Sequence, residues 1–145
     1  MAESFHVRAA RIDDAVGLAA LNREFNDVEI PPDQIAAWLR FEGRSEVVVV
    51  AEVAGELGGF ACVQILLSMF YGEPWAELTE LYVREAHRRL GIGRALVQEG
   101  ERLAQLRGAA DMIVRTGVEN AAARALYESL GFTARADVTL QKRLG

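Results

Sequence analysis

Apolar and polar residues alternate over residues 5–9, which predicts a short strand. Asp13 and Asp14 then supply cap-type residues ahead of 15–25, where the pattern is helical. Pro31 and Pro32 break the chain and can open a second helix. Ile35, Trp38 and Leu39 recur at helical spacing, and Gly43 offers a stop, so this helix covers about 32–41. The run 47–53 is rich in β-branched residues, and 54–58 has the glycine punctuation of a hairpin before 59–68, predicting two antiparallel strands. Gly72 and Pro74 precede 75–83, a fourth strand with unexplained polar members. From Gly91 the period changes to that of a helix, with Ile92, Leu96, Val97 and Leu103 near one stripe and Gly108 ending the run. A short strand at 111–115, a helix at 120–130 closed by Gly131, and a terminal strand at 138–140 complete the reading.

Strands and helices alternate in the second half, while the first half pairs two helices with a meander. A mixed sheet with helices on its faces follows, an α/β or α+β fold in three layers. At 145 residues the chain fits a single domain, 1–145, and 51% apolar with 26% charged residues suits a folded protein. The net charge is −5 and the basic residues are dispersed except between Arg84 and Arg94, so nucleic acid is not an expected partner. The apolar stretch 47–70 is interrupted by Glu52, Glu56 and three glycines, which makes it a poor membrane span. Residues 1–10 lack the basic and apolar stretches of a secretory signal, and a cytoplasmic location is expected. The lone Cys62, inside an apolar run, reads as a small buried hydrophobe, not a ligand or nucleophile, and no metal is expected.

The chemistry concentrates where the fourth strand gives way to a loop that feeds a helix: Arg88-Arg89-Leu90-Gly91-Ile92-Gly93-Arg94-Ala95-Leu96. The first amides of a helix have no internal partner and its dipole favours negative charge there. Gly91 and Gly93 remove the Cβ atoms that would block close approach, and Arg88, Arg89 and Arg94 add full charges, so the junction suits a phosphate. Two familiar phosphate loops fit poorly. A Walker loop needs Lys and then Ser or Thr where Arg94 and Ala95 stand, and a dinucleotide fingerprint needs a glycine where Leu96 stands.

That stretch resembles the R/Q-x-x-G-x-G/A motif with which the GNAT family of N-acetyltransferases binds acetyl-CoA. Downstream, Asn120-Ala121-Ala122-Ala123-Arg124-Ala125-Leu126-Tyr127-Glu128-Ser129-Leu130-Gly131-Phe132 resembles the family's Asn-x-x-A-x-x-L-Y-x-x-x-G-F signature, and the order of elements matches over nearly the whole chain. The resemblance implies a mixed, mostly antiparallel sheet of six to seven strands flanked by four helices. It implies transfer of acetyl from acetyl-CoA to a primary amine, of a small polar molecule first of all, by direct attack. A protein amino group, or a coenzyme A-binding sensor without turnover, are the alternatives.

By the same resemblance the amides of Arg88, Arg89, Leu90, Gly91, Ile92, Gly93 and Arg94 hold the pyrophosphate. Leu81, Tyr82 and Val83 pair through their backbone with the pantetheine arm where the fourth and fifth strands splay apart; Leu81 and Val83 also read as core. Asn120 and Ala123 fall in the second motif; Asn120 is implied to contact coenzyme A and is equally an N-cap. Tyr127 is implied to be the general acid toward the leaving thiolate, which suits a phenol with a pKa of about 10 beside a thiol of about 8.5. The acceptor amine, with a pKa near roughly 10.4, must lose a proton to react. Glu80 is the first candidate to take it, Glu77 the second, with Thr79 standing where some relatives have a glutamate; a solvated Glu80 is the plain alternative. Glu24, Asp27, Glu29 and Glu73 are placed to attract a cationic amine. A homodimer through 138–140 is the remaining partner that the resemblance brings forward.

Overall fold

The β-branched run enters a five-stranded sheet of order β1-β2-β3-β4-β5, in a computed structural model that describes residues 4–145. The strands are β1 (Phe5–Ala9), β2 (Glu46–Val53), β3 (Glu56–Leu66), β4 (Trp75–Val83) and β5 (Met112–Val114). The first four run antiparallel to their neighbours, and β5 joins β4 in parallel. Ala54 and Gly55 turn β2 into β3 with φ of 51° and 82°. Two left-handed residues in succession match the twist of the flanking strands, so the expected hairpin forms with a two-residue loop. The helices are α1 (Ala15–Asn26), α2 (Pro32–Arg40), α3 (Ile92–Leu106) and α4 (Ala121–Ser129). The chain divides into two compact units, the first ending at Arg115 and the second running from Thr116 to Gly145.

In the first unit the sheet is the middle of three layers. Side chains alternate across a strand, and Val48, Val50, Phe60 and Cys62 cluster with Leu18 and Leu21 of α1 and Leu39 of α2. The opposite face meets α3, whose Ile92, Leu96 and Val97 are buried. Close approach there uses two glycines: a Cβ at Gly100 would stand 3.1 Å from Val63 Cγ2, and one at Gly59 would stand 3.3 Å from Leu96 Cδ1. Among the described residues no helix is long and apolar enough to cross a membrane.

The six to seven strands expected are five, and the terminal strand at 138–140 does not form. Residues 132–145 carry no regular element, and Val138 and Leu140 are 81% and 91% exposed. Three residues between Asp137 and Gln141 hold no ladder of hydrogen bonds unless a neighbouring strand supplies it, and β-branching does not substitute for that partner. The other predicted elements agree with the structure to within about three residues at their ends.

Asp14, expected as a helix cap, makes no side-chain cap on α1. Its carboxylate is buried and accepts instead from Arg8 Nη1 at 2.7 Å, Arg8 Nη2 at 2.9 Å and the Arg11 amide at 2.7 Å. Burial works against its charge, but the hydrogen bonds from Arg8 and the Arg11 amide outweigh it and hold the pKa below the ordinary 3.8. Glu52 also reaches Arg8, at 3.4 Å, so Arg8 keeps an ionic partner when Asp14 is removed. Asp14→Ala is expected to lower the unfolding free energy by about 2 kcal/mol, read as a lower urea midpoint at unchanged slope. Because the folded pKa is depressed, this contribution is present above the ordinary aspartate value and is lost as pH falls through the folded one. Asp14→Asn therefore flattens the acid limb of a stability profile and leaves its neutral limb parallel to wild type.

Candidate active site

Pairing between β4 and β5 ends early. Ala76, Glu77 and Leu78 lie opposite Met112, Ile113 and Val114, and beyond Leu78 β4 has β3 alone as neighbour among the described residues. The Arg84 amide donates to Gly58 O at 2.9 Å, toward β3. By the alternation of an antiparallel ladder, the peptide groups of Val83 and Leu81 then face the side that β5 has left. Arg88 Nε donates to Val83 O at 2.9 Å on that side. The open edge thus runs through the residues the resemblance assigns to the pantetheine arm.

A bulge lies at the point where the strands part. Cys62 pairs with Glu80 and Val63 with Leu78, which leaves Thr79 as the extra residue. Its hydroxyl donates to Cys62 O at 3.2 Å and holds the bulge in place. Glu80, opposite Cys62, and Glu77, opposite Gln64, belong to the face that carries α1 and α2. Glu77 is already ion-paired with Arg115. Cys62 is buried, and desolvation, reinforced by the charges of Glu46 and Glu80, pushes its thiol well above its ordinary pKa. Such a thiol is a poor nucleophile.

The loop after β4 turns through a 3-10 segment, Glu85–His87, and reaches α3 by way of two left-handed residues, Arg89 at φ 67° and Gly91 at φ 85°. His87 sits against Gly58, where a Cβ would meet its Cδ2 at 2.9 Å. Gly91 is the N-cap of α3 and has no side chain to close the helix end. The first internal bond runs from the Ala95 amide to Gly91 O at 3.1 Å. The amides of Ile92, Gly93 and Arg94 come before it, in the turn where a helix offers donors to an anion. A Cβ built at Gly91 meets nothing within 4 Å, so the space above the loop is open. Ile92, 1% exposed, fixes this end of α3 in the core while Arg88, Arg89 and Arg94 stay at the surface.

In the second unit, Asn120 is the N-cap of α4 and its Oδ1 accepts from the Ala123 amide at 3.2 Å. The capping role expected for Asn120 is therefore seen directly. One helix carries Ala123 and Tyr127. The Tyr127 ring meets Phe132 edge to face, with centroids 5.7 Å apart, and is half-buried. That burial raises the pKa of its hydroxyl.

Two of the four carboxylates expected to attract an amine are otherwise engaged. Glu29 pairs with Arg23 at 2.6 Å, and Glu24 binds Arg84 and Tyr82. The Glu24 contacts span about sixty positions of sequence, a distance at which no periodicity or motif signals a pair. A concavity of about 380 Å³ in the first unit is lined by Arg8, Asp14, Glu52, Leu57 and Arg84. It lies at the hairpin end of the sheet and not at the bulge, so it is not the site described above.

Residues 12–132 match the Acetyltransferase (GNAT) family. The chain belongs to that family. It is 35% identical over 83 residues to N-acetyltransferase family 8 member 3 of Rattus norvegicus, covering 57% of this chain and 36% of that protein. To the [ribosomal protein bS18]-alanine N-acetyltransferase of Escherichia coli K12 it is 37% identical over 78 residues, 54% of this chain and 49% of that one. The chain thus spans about a third to a half of the length of these curated relatives. Among solved structures, aminoglycoside N-acetyltransferase AAC(6′)-Iy in complex with CoA superposes with a TM-score of 0.81 at 18% identity, over 99% of this chain and 97% of that one. At that identity the likeness speaks for the fold. This GNAT fold has a mixed, mostly antiparallel sheet and four α-helices.

Proposed function

We propose that this GNAT-family chain is an acetyl-CoA-dependent N-acetyltransferase acting on a primary amine of a small polar molecule. The observation that carries the reading is the loop from Arg88 to Arg94, which enters α3 through Gly91 at φ 85° with open space above it, next to the free edge at Leu81 and Val83. In this reading the amides of Ile92, Gly93 and Arg94 and the surface arginines take the pyrophosphate, and the outward peptide groups of Leu81 and Val83 take the pantetheine amides. Tyr82, between them, turns its own peptide groups to β3 and its side chain to α1. By the resemblance, Asn120 and Ala123 of the second unit contact coenzyme A as well.

Acetyl-CoA supplies the acyl group as a thioester. The amine nitrogen attacks the acetyl carbon, the carbon–sulfur bond breaks, and the Tyr127 hydroxyl gives its proton to the departing sulfur. The proton lost by the amine goes to Glu80, directly or through water; Glu77, held in an ion pair with Arg115, is the second candidate. Attack is direct because Cys62, buried with a raised pKa, offers no thiolate for an acyl-enzyme.

The test is release of coenzyme A from acetyl-CoA with polyamines, aminoglycosides, amino acids and lysine-bearing peptides offered in parallel. Turnover with one amine class is the expected result and names the acceptor. Acetyl-CoA binding without turnover across the panel would favour the sensor reading. A second reading is transfer to a protein amino terminus, favoured by the match to the alanine N-acetyltransferase. It predicts acetylated peptides by mass spectrometry and no gain from free polyamines.

A further inference from the structure

Glu24, on the last full turn of α1, reaches across to the end of β4. Its Oε1 accepts from the Tyr82 hydroxyl at 3.1 Å, and its Oε2 accepts from Arg84 Nε at 2.9 Å and lies 2.8 Å from Arg84 Nη2. Arg84 Nη1 donates to Leu57 O at 3.1 Å, which anchors the guanidinium to the β2–β3 hairpin. The neighbouring Phe25 stacks on the Tyr82 ring, with centroids 5.0 Å apart and planes 20° apart. Tyr82 is therefore held at its hydroxyl and along one side of its ring. The Arg88 guanidinium lies 6.0 Å from the ring centroid while its Nε holds Val83 O. A cation placed over an aromatic ring stays there only if the ring is fixed.

We propose that Glu24 is a positioning residue for acetyl-CoA: through Tyr82 and Arg84 it sets Arg88 at the mouth of the cofactor loop, and it does not receive the acceptor's amine. This rests on reading Arg88 to Arg94 as the pyrophosphate loop. The hydrogen bond to Arg84 also holds the Glu24 carboxylate below its ordinary pKa, so it is charged at neutral pH. A carboxylate paired with Arg84 can act in a second way, by cancelling charge. The two roles predict opposite signs. If Glu24 only neutralised Arg84, removing it would leave one more cation near a polyphosphate and tighten binding. If Glu24 positions Arg88, removing it weakens binding.

The experiment is calorimetric titration of the full chain with acetyl-CoA, with melting temperatures measured beside it, for wild type, Glu24→Ala, Tyr82→Phe, Arg88→Ala and the double variant Glu24→Ala/Arg88→Ala. Glu24→Ala is expected to raise Kd about 5- to 10-fold, and Tyr82→Phe, which keeps the ring and every charge, about 2- to 3-fold. In the Arg88→Ala background Glu24→Ala is expected to add little, because the interaction it serves is already gone. The KM for acetyl-CoA rises in Glu24→Ala while the KM for the amine does not. A Kd that is unchanged or lower in Glu24→Ala, or a full additional loss in the double variant, overturns the proposal. Should Glu24→Ala fail to fold, an unchanged Kd in Tyr82→Phe overturns it equally. Wild type that does not bind acetyl-CoA, or an Arg88→Ala variant that binds as wild type does, overturns the cofactor-loop reading itself and the proposal with it.

Discussion

Gly91→Val is expected to raise the Kd for acetyl-CoA at least about 100-fold in a protein that still folds, losing about 2 kcal/mol of unfolding free energy. The two effects have separate causes. The stability loss comes from backbone strain alone: Gly91 sits at φ 85°, a conformation L side chains rarely adopt, and a Cβ there touches no other part of the chain. The binding loss needs an occupant for that open space. A branched side chain placed between the amides of Ile92, Gly93 and Arg94 and a pyrophosphate breaks charge-assisted hydrogen bonds worth roughly 1.5–3 kcal/mol each. Two such bonds account for a factor of 100 or more. Gly91→Asn separates the terms further, since asparagine tolerates left-handed backbone: it should recover most of the stability and little of the binding. Calorimetric titration and urea unfolding of the same preparations read both quantities. A Val variant that loses stability as described and still binds acetyl-CoA as wild type does would remove Gly91 from the cofactor site.

The position of Gly91 was legible because only glycine is at ease at φ 85°, and a glycine at a strand-to-helix junction advertises that need. Arg89, at φ 67°, carries no such mark; an arginine in left-handed backbone is a property of the folded loop. The bulge left a fainter trace. Thr79 and Glu80 are consecutive polar residues between Leu78 and Leu81, a local break in period two, and the extra residue sits there. The helices and the first four strands followed from periodicity and glycine or proline punctuation, which are local signals. Asp14 and Glu24 show where local signals stop. Asp14 looks like a cap and is the partner of Arg8 on β1, and Glu24 looks like a solvated surface charge and is tied to β4. Both pairings follow from which strand lies beside which helix. The absent strand at 138–140 makes the same point from the other side: a β-prone triplet becomes a strand only when an edge is there to receive it.

Tyr127→Phe is expected to lower kcat about 100- to 1,000-fold while changing the Kd for acetyl-CoA less than about threefold. Phenylalanine keeps the ring and its edge-to-face contact with Phe132, so the fold should lose at most about 1 kcal/mol. What disappears is one proton donor. The pH dependence follows from the direction of the shift. Burial raises the Tyr127 pKa above its ordinary 10.0, which keeps the hydroxyl protonated over a wider range, and a general acid works in its protonated form. The wild-type rate should therefore rise with pH as the acceptor amine loses its proton, with no alkaline limb from Tyr127 below about pH 10. In the Phe variant the rate should depend on the pKa of the leaving thiol more steeply than in wild type, because the sulfur must then depart without a proton. Acetyl thioesters of more acidic thiols should recover part of the lost rate in the variant and gain little in wild type. Full kcat in Tyr127→Phe, at an unchanged melting temperature, would leave Tyr127 as a packing residue of α4 and assign the sulfur's proton to water.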